Sequence, residues 1–193
     1  MPKSPPPDRL TRAIALIDAA NAADPTLADG VPAALLYGQR MTAECDRLFP
    51  DAAEVLQLAA RGQHVERWRL PREDYPDGKP GYLDWRREQA RRHGLRLAGI
   101  LAEAGYPAGD QHRIGVLVRK EGLKRDPEVQ ALEDVICFTF LRWYFADFAA
   151  GRDPAHVADI VAKTARKMSA GARARALSEF ALPADLAAAF APG

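Results

Sequence analysis

The sequence predicts an all-α fold, and three observations on the 193-residue chain carry this prediction. Apolar residues recur at helical spacing in one window after another. No window shows the sustained alternation of apolar and polar residues between hairpin turns that indicates a sheet. The chain is also rich in Ala, Leu, Arg and Glu, which favour helices. We therefore expect one domain over residues 8–190, a bundle of about eight helices around a central apolar helix at about residues 127–150.

The first predicted helix follows a proline-rich tail. Residues 1–7 read MPKSPPP, and we expect them to be disordered. Asp8 is a suitable N-cap for the helix that follows. The helix should end near Asp24, because Pro25 pushes the residue before it out of the helical region. A loop through Gly30 then leads to the second helix.

Two more helices are predicted before a long connection. Pro32 suits the first turn of a second helix that runs to Phe49. Asp51 suits the N-cap of a third helix, which we expect to continue to Trp68. Residues 69–80 contain three prolines and lack apolar periodicity, so they predict an ordered loop or lid.

The second half of the chain predicts helices separated by glycine and proline signals. Asp126-Pro127 and Asp153-Pro154 each combine an N-cap with a first-turn proline. The helix that follows Asp126 contains the run VICFTFLRWYFADF, which is apolar almost all the way round. Such a helix is usually buried on most sides, so we place it at the centre of the bundle. The predicted ranges are 82–105, 108–123, 127–150, 154–169 and 171–182.

Composition and charge exclude several classes of function. The formal net charge is +1, so no global field attracts the chain to nucleic acid or to a membrane, and a nucleic-acid partner is not favoured. No stretch approaches the roughly 18 apolar residues of a membrane span, and the N-terminus lacks the apolar core of a signal peptide. We expect a cytoplasmic protein without a membrane partner. Cys137 lies in an apolar run and suggests a reduced core thiol, while Cys45 belongs to no metal-like pair.

Two adjacent carboxylates on the central helix are the first candidate site residues. Glu133 and Asp134 lie one turn before Cys137, and carboxylates are almost never fully buried unless they are paired or bind a metal. One interpretation is that this end of the helix reaches solvent, or that one acid pairs with an arginine. The other is that at least one of the two points into an interior site.

Two histidines on other predicted helices could complete such a site. His64 follows the apolar part of the third helix, and His93 lies midway along the fourth. A lone histidine on a helix is most often structural, yet two histidines and an acid from three helices are typical of a metal site in a bundle. The short helical metal motifs are absent, so both interpretations stay open.

Arginines cluster beside tryptophans before and within the fourth helix. Arg67 and Arg72 flank Trp68, and Arg86 follows Trp85. The arginine fork can stack on an aromatic ring and grip a phosphate or carboxylate, so these residues predict a site for a small anionic ligand. The alternative is surface pairing, because acidic residues alternate with these arginines.

Five strings of the sequence resemble the family known as domain of unknown function 4202. They are LLYGQRM (35–41), QHVERWRLPREDYP (63–76), GYLDWR (81–86), LEDVICFTFL (132–141) and TARKMS (164–169). The resemblance covers residues 10 to 180 and implies a single helical domain. It directs attention to the positions His64, Arg67, Trp68, Arg72, Tyr82, Trp85, Glu133 and Asp134.

A more distant similarity is to the HD superfamily of helical metal-dependent phosphohydrolases and di-iron oxygenases. Those proteins take ligands from a first His, a His-Asp dyad and a later Asp. The similarity implies that His64 is the first His, His93 the dyad His and Asp134 the last Asp. Gly94 stands where the dyad Asp belongs, so the resemblance implies one divalent metal (Mn, Fe or Zn) or a site that only binds a ligand.

Three hypotheses about function follow. The first is an HD-like metal-dependent hydrolase in which His64, His93 and Asp134 hold the metal and Glu133 and Lys120 are catalytic. Its anionic, phosphorylated substrate would contact the substrate-binding residues Arg67, Trp68, Arg72, Tyr82, Trp85 and Arg86. The second is a metal-free protein that binds a nucleotide, another anion or an RNA segment through the same arginines and tryptophans. The third is a scaffold protein whose polar cluster is a buried ion-pair network.

Overall fold

The computed structural model describes residues 8–191, and this part of the chain is predominantly helical. It contains α-helices, one π-helical turn at Phe140–Tyr144 and one short hairpin, so the prediction of an all-α fold is confirmed. The predicted disordered tail at residues 1–7 lies outside the described residues. The helices are α1 (Arg9–Asn21), α2 (Ala33–Leu48), α3 (Glu54–Arg61), α4 (Gly78–Ala104), α5 (Ala108–Arg119), α6 (Pro127–Thr139), α7 (Phe145–Ala149), α8 (Pro154–Lys167), α9 (Ala170–Glu179) and α10 (Ala184–Ala187).

Side-chain caps fix the start of several helices where the sequence predicts them. The Asp8 carboxylate accepts a hydrogen bond from the Thr11 amide at 2.7 Å. Asp126 accepts from two backbone amides at the start of α6, and Asp153 accepts from the His156 amide at the start of α8. Each cap satisfies donors that have no partner within the helix, which is worth about 1 kcal/mol. Ser169 caps α9 in the same way.

The third helix differs from its prediction at both ends. It begins at Glu54 and ends at Arg61, so Asp51 does not cap it and His64 lies in the turn that follows. The turn at Gly62 packs so closely on α4 that a Cβ atom there would lie 2.3 Å from Leu97 Cδ2. The chain therefore leaves the helical path at Gly62 to follow α4.

A short hairpin replaces part of the predicted loop before α2. Its strands, β1 (Leu27–Ala28) and β2 (Val31–Pro32), are antiparallel, with Leu27 opposite Pro32. Asp29 and Gly30 both have positive φ, which suits a two-residue turn. The Asp24 carboxylate ties the hairpin to α2 by accepting from the Thr26 and Ala34 amides at 2.9 and 3.0 Å.

The segment before α4 is an ordered loop, as predicted, although α4 begins at Gly78 rather than at residue 82. Two 3₁₀ turns, Arg67–Arg69 and Arg72–Asp74, give the loop its shape. Trp85 Nε1 donates to the Leu70 carbonyl, and Gln89 Nε2 donates to the carbonyls of Arg67 and Leu70, all at 2.9 Å. The first three turns of α4 thus hold the loop in place.

The predicted central helix comprises α6, the π-helical turn and α7. Nine of the 13 residues of α6 are buried, which confirms its central position, whereas residues 142–150 are at or near the surface. One core gathers residues of α1 to α5 and the start of α6, including Leu132 and Val135. A second core gathers Cys137, Phe138 and residues of α8 to α10. Helix α6 therefore belongs to both cores.

None of the helices within residues 8–191 combines the length and the apolar character that crossing a membrane requires.

Candidate functional site

A cavity of about 1100 Å³ opens where the two cores meet. Its wall takes residues from the hairpin, α2, the turn after α3, α4, the end of α5, α6, the π-helical turn and α8. A pocket of this size is large enough for a small organic ligand. Most of the candidate site residues of the sequence line it, namely His64, Arg67, Trp68, Tyr82, Arg86, His93, Lys120 and Glu133.

Two of the proposed substrate-binding residues serve the loop before α4 instead. Arg72 donates to the carbonyls of Tyr75 and Pro76 at 2.8 and 2.9 Å, so its guanidinium stabilises the loop backbone. Trp85 does not line the cavity, because its indole lies behind Arg67. Both residues position the cavity wall without facing a ligand.

Asp134 does not join the histidines in a common site. Its Oδ1 accepts from the Ser169 amide at 2.8 Å and from Gln130 Nε2 at 3.0 Å. These bonds hold the start of α9 against α6, and Asp134 is absent from the cavity wall. Adjacent helical residues point about 100° apart, which is why Glu133 faces the cavity and Asp134 does not.

The donors therefore do not fit the metal centre that the HD similarity implies. Within residues 8–191 no three His, Cys, Asp or Glu side chains are grouped so that they could hold a metal ion. The rings of His64 and His93 lie 6.1 Å apart between centroids, and Asp134 is engaged elsewhere. Gly94 faces α5 rather than the cavity: a Cβ atom there would lie 3.4 Å from Gly115 Cα and 2.9 Å from Arg119 Nη1. Close helix packing accounts for this glycine.

The two histidines are neutral groups deep in the cavity. The ring of His64 stacks on Tyr37 with 4.0 Å between centroids and 14° between planes. Burial, reinforced by the nearby Arg67, lowers the pKa of His64 well below its ordinary value and the pKa of His93 to about 3. Near neutral pH both rings therefore lack a charge, and they can accept as well as donate hydrogen bonds.

Arg67 is a largely desolvated cation on the cavity wall. Its Cζ atom lies 4.6 Å from the centroid of the Trp85 ring. Burial lowers its pKa, and the neighbouring Arg86 lowers it further, since two positive charges repel each other. Tyr37 and Tyr82 raise the pKa in part, and Arg67 forms no salt bridge with a carboxylate within residues 8–191. Arg86 in turn lies 5.8 Å from the Tyr82 ring.

Glu133 supplies the one deeply buried carboxylate of the wall. Its side chain is 2% exposed, and Oε2 lies 2.5 Å from Lys120 Nζ, although the alignment is poor for a hydrogen bond. Lys167 Nζ lies 3.9 Å from Oε1. Lys120 caps α5 with φ +59°, a conformation that favours glycine, and its ammonium group reaches Glu133 from there. One carboxylate thus faces two ammonium groups.

Cys137 also lines the cavity, but its thiol is not activated. Burial raises its pKa to about 12, and Sγ lies 3.8 Å from the Thr164 carbonyl. A thiol that stays protonated at neutral pH is a weak nucleophile. Cys45 and Cys137 are both buried and unbridged, which agrees with the prediction of a reduced core thiol at Cys137.

Most residues of the wall were not among the sequence candidates, and five of them bear on its chemistry. They are Tyr37, Gln63, Phe140, Tyr144 and Lys167. Four of them, all but Tyr144, lie in the sequence strings quoted above for the family resemblance, and this position was the feature of the sequence that could have identified them. Phe140 and Tyr144 are the first and last residues of the π-helical turn, and both line the cavity.

Comparison with known proteins gives one match. The model of the family described as domain of unknown function (DUF4202) matches residues 11–189. No curated protein and no solved structure matches the chain. Since the family model covers nearly the whole sequence, the chain belongs to the DUF4202 family.

Proposed function

We propose that the cavity binds a small anionic molecule, such as a phosphate or carboxylate compound, without a metal ion. The observation that carries this proposal is Arg67, a partly buried guanidinium on the cavity wall that pairs with no carboxylate in the described part of the chain. Burying a cation without a counter-charge is unfavourable. An anion bound there would offset this cost and form charge-assisted hydrogen bonds.

The remaining charges of the wall support the same ligand class. Six of its side chains are basic and three are acidic. Two of the basic side chains already pair with acids, Arg119 with Glu121 and Arg87 with Asp84, and the Asp24 carboxylate binds backbone amides. Glu133 alone faces Lys120 and Lys167, so the interior keeps a surplus of positive charge. The basic residues are Arg67, Arg86, Arg87, Arg119, Lys120 and Lys167.

Aromatic side chains give the cavity a preference for flat ligands. His64 stacks on Tyr37, and the Tyr37 and Tyr144 rings are 5.9 Å apart. Trp68 and Phe140 also line the wall. Aromatic faces pack well against a planar ring, so a ring that carries a phosphate or carboxylate suits both parts of the cavity. Nucleotides are natural probes of this class.

Calorimetry with pyrophosphate and with adenosine 5′-monophosphate (AMP) tests the proposal. We expect both compounds to bind, and Arg67→Met to weaken binding by about tenfold or more, since a charged hydrogen bond is worth about 1.5–3 kcal/mol. Arg152→Met is the matched control, because Arg152 also covers an aromatic ring, Phe148, at 4.7 Å but lies outside the cavity. No binding of either compound, or equal losses in the two variants, would refute the proposal.

Acid–base catalysis on the bound molecule is a second candidate function. It rests on Glu133, whose buried carboxylate lies in the same cavity as Lys120 and the neutral His64. Glu133→Gln separates this candidate from simple binding. An enzyme would lose turnover of a phosphorylated substrate while still binding it, whereas a binding protein shows no turnover before or after the change.

A further inference from the structure

Three buried hydrogen-bond acceptors of the cavity wall have no hydrogen-bond donor. One is Oε2 of Glu133, which still faces the Lys120 ammonium group, and the other two are Oε1 of Gln63 and Nε2 of His93. Gln63 is 7% exposed and His93 is 4% exposed. Leaving a buried polar atom unpaired is costly, and most such atoms in proteins have a partner. A donor on the ligand can supply what the protein does not.

The chemistry of the two atoms indicates what that donor is. The His93 ring forms a hydrogen bond with the backbone of Gln63, so the two residues lie side by side on the cavity wall. His93 is neutral, which leaves a lone pair on a ring nitrogen. An amino group has two N–H bonds and can serve both acceptors, whereas a hydroxyl group can serve one. A charged ammonium group is disfavoured here because Arg67 and Arg86 lie on the same wall.

We propose that the ligand is a phosphate of a flat ring that carries a neutral amino group, with the amino group bound by Gln63 and His93. This inference rests on the proposed anion binding and adds the group that selects the ring. The phosphate contacts Arg67, Arg86 and Lys120, and the ring lies against the stacked Tyr37 and His64. Aminopurine and aminopyrimidine nucleotides have this combination of groups.

A pair of nucleotides that differ only in the amino group tests the inference. Purine riboside 5′-monophosphate is AMP without its exocyclic amino group. We expect AMP to bind the full-length protein about tenfold tighter or more, because the analogue leaves two buried acceptors unpaired. Equal affinities would overturn the inference, as would pyrophosphate binding without AMP binding. If neither nucleotide nor pyrophosphate binds, the anion-binding proposal itself fails.

A variant and a spectroscopic measurement assign the selection to these residues. Gln63→Met keeps the length of the side chain, and we expect it to reduce the preference for AMP to about threefold or less. The exposed control Gln39→Met should keep the full preference. In the unaltered protein, the ¹⁵N shift of His93 Nε2 should move with AMP and stay in place with the analogue. A shift that responds equally to both nucleotides contradicts the role of His93.

Discussion

Lys120 and Glu133 link the stability of the fold to the charge of the cavity. Lys120→Met leaves a 2%-exposed carboxylate with only Lys167 Nζ, 3.9 Å away. We expect this change to lower the free energy of unfolding by about 1–3 kcal/mol. In the Glu133→Gln background the same change should cost less, because an amide needs no counter-ion. Urea denaturation of the four proteins should give a coupling of at least about 1 kcal/mol, and additive effects would contradict the pairing.

His64 and His93 make the fold sensitive to mild acid. Both have folded-state pKa values below the ordinary 6.5, so the unfolded chain binds protons first as the pH falls. The free energy of unfolding should therefore decrease below pH 6.5 and continue to decrease toward pH 3, by up to about 1.4 kcal/mol per pH unit for each histidine.

Urea denaturation between pH 7 and pH 5 measures this decrease in the free energy of unfolding. The range is chosen because most carboxyl groups titrate below it. We expect His93→Gln to make the decrease shallower by up to roughly half, since one of two proton-binding groups is gone. His112→Gln replaces an exposed histidine and should leave the slope unchanged. Identical slopes in all three proteins contradict the assignment.

For single residues, the sequence predicts which side chains have functional groups, but it does not predict the direction in which each side chain points. Glu133 and Asp134 are equally good candidates for a buried site, because both are carboxylates in an apolar helix, yet only Glu133 lines the cavity. The difference depends on the neighbours across the helix, Lys120 and the Ser169 amide, which lie far away in sequence. Arg67 and Arg72 are a second such pair. Both lie close to Trp68 in the sequence, yet only Arg67 lines the cavity.

Gln89 of α4 controls the loop that carries Arg67. Its amide donates to two loop carbonyls, and its side chain is 3% exposed. Gln89→Leu removes both bonds, so we expect faster hydrogen exchange over residues 66–76 and weaker AMP binding, with stability reduced by about 1–3 kcal/mol. Gln111→Leu removes a single bond to the Tyr106 carbonyl and should leave the exchange of that loop unchanged. Unaltered exchange in the Gln89 variant contradicts this role.

The sequence predicts the ends of a helix well where residues next to that end determine it. N-cap residues and prolines place the starts of α1, α6 and α8 correctly, because these signals act within one turn. The predicted end of α3 is wrong although Gly62 follows its last residue directly, because a single glycine within a helical pattern does not by itself end a helix. The π-helical turn reads as continuous helix in the sequence, since its five residues lie inside one apolar run without a glycine or proline.

Glu44 joins the two cores through a network of charges. It is 2% exposed and lies 2.6 Å from both Arg47 Nη2 and Arg142 Nε. Glu179 of α9 pairs with the same two arginines at 2.7 Å. Since the arginines are about one-third exposed, solvent reduces the strength of these pairs.

We expect Glu44→Gln to lower the free energy of unfolding by about 1–3 kcal/mol, because it leaves two guanidinium groups with a single carboxylate. Urea denaturation measures the change. Glu103→Gln, at an exposed position on α4, is the control and should have little effect. A Glu44 variant as stable as the control means that the network contributes nothing to the fold.

For the whole molecule, the sequence predicts the class and the order of the helices but not the cavity. Its wall unites residues from Asp24 to Lys167, so it exists only once α6 is packed between the two cores. Helical periodicity reports which face of each helix is apolar, and it contains no information on where two apolar faces fail to meet. The cavity is such a place.

The position of this cavity between two cores has a consequence for how the molecule moves. His64 and Arg67 stand on one side of the seam, and Lys167 stands on the other. A ligand that contacts both sides would oppose a separation of α8 to α10 from the rest of the protein, because the separation would break its contacts. We therefore expect ligand binding in the cavity to slow proteolytic cleavage of the connection at residues 150–153, although these residues do not line the cavity.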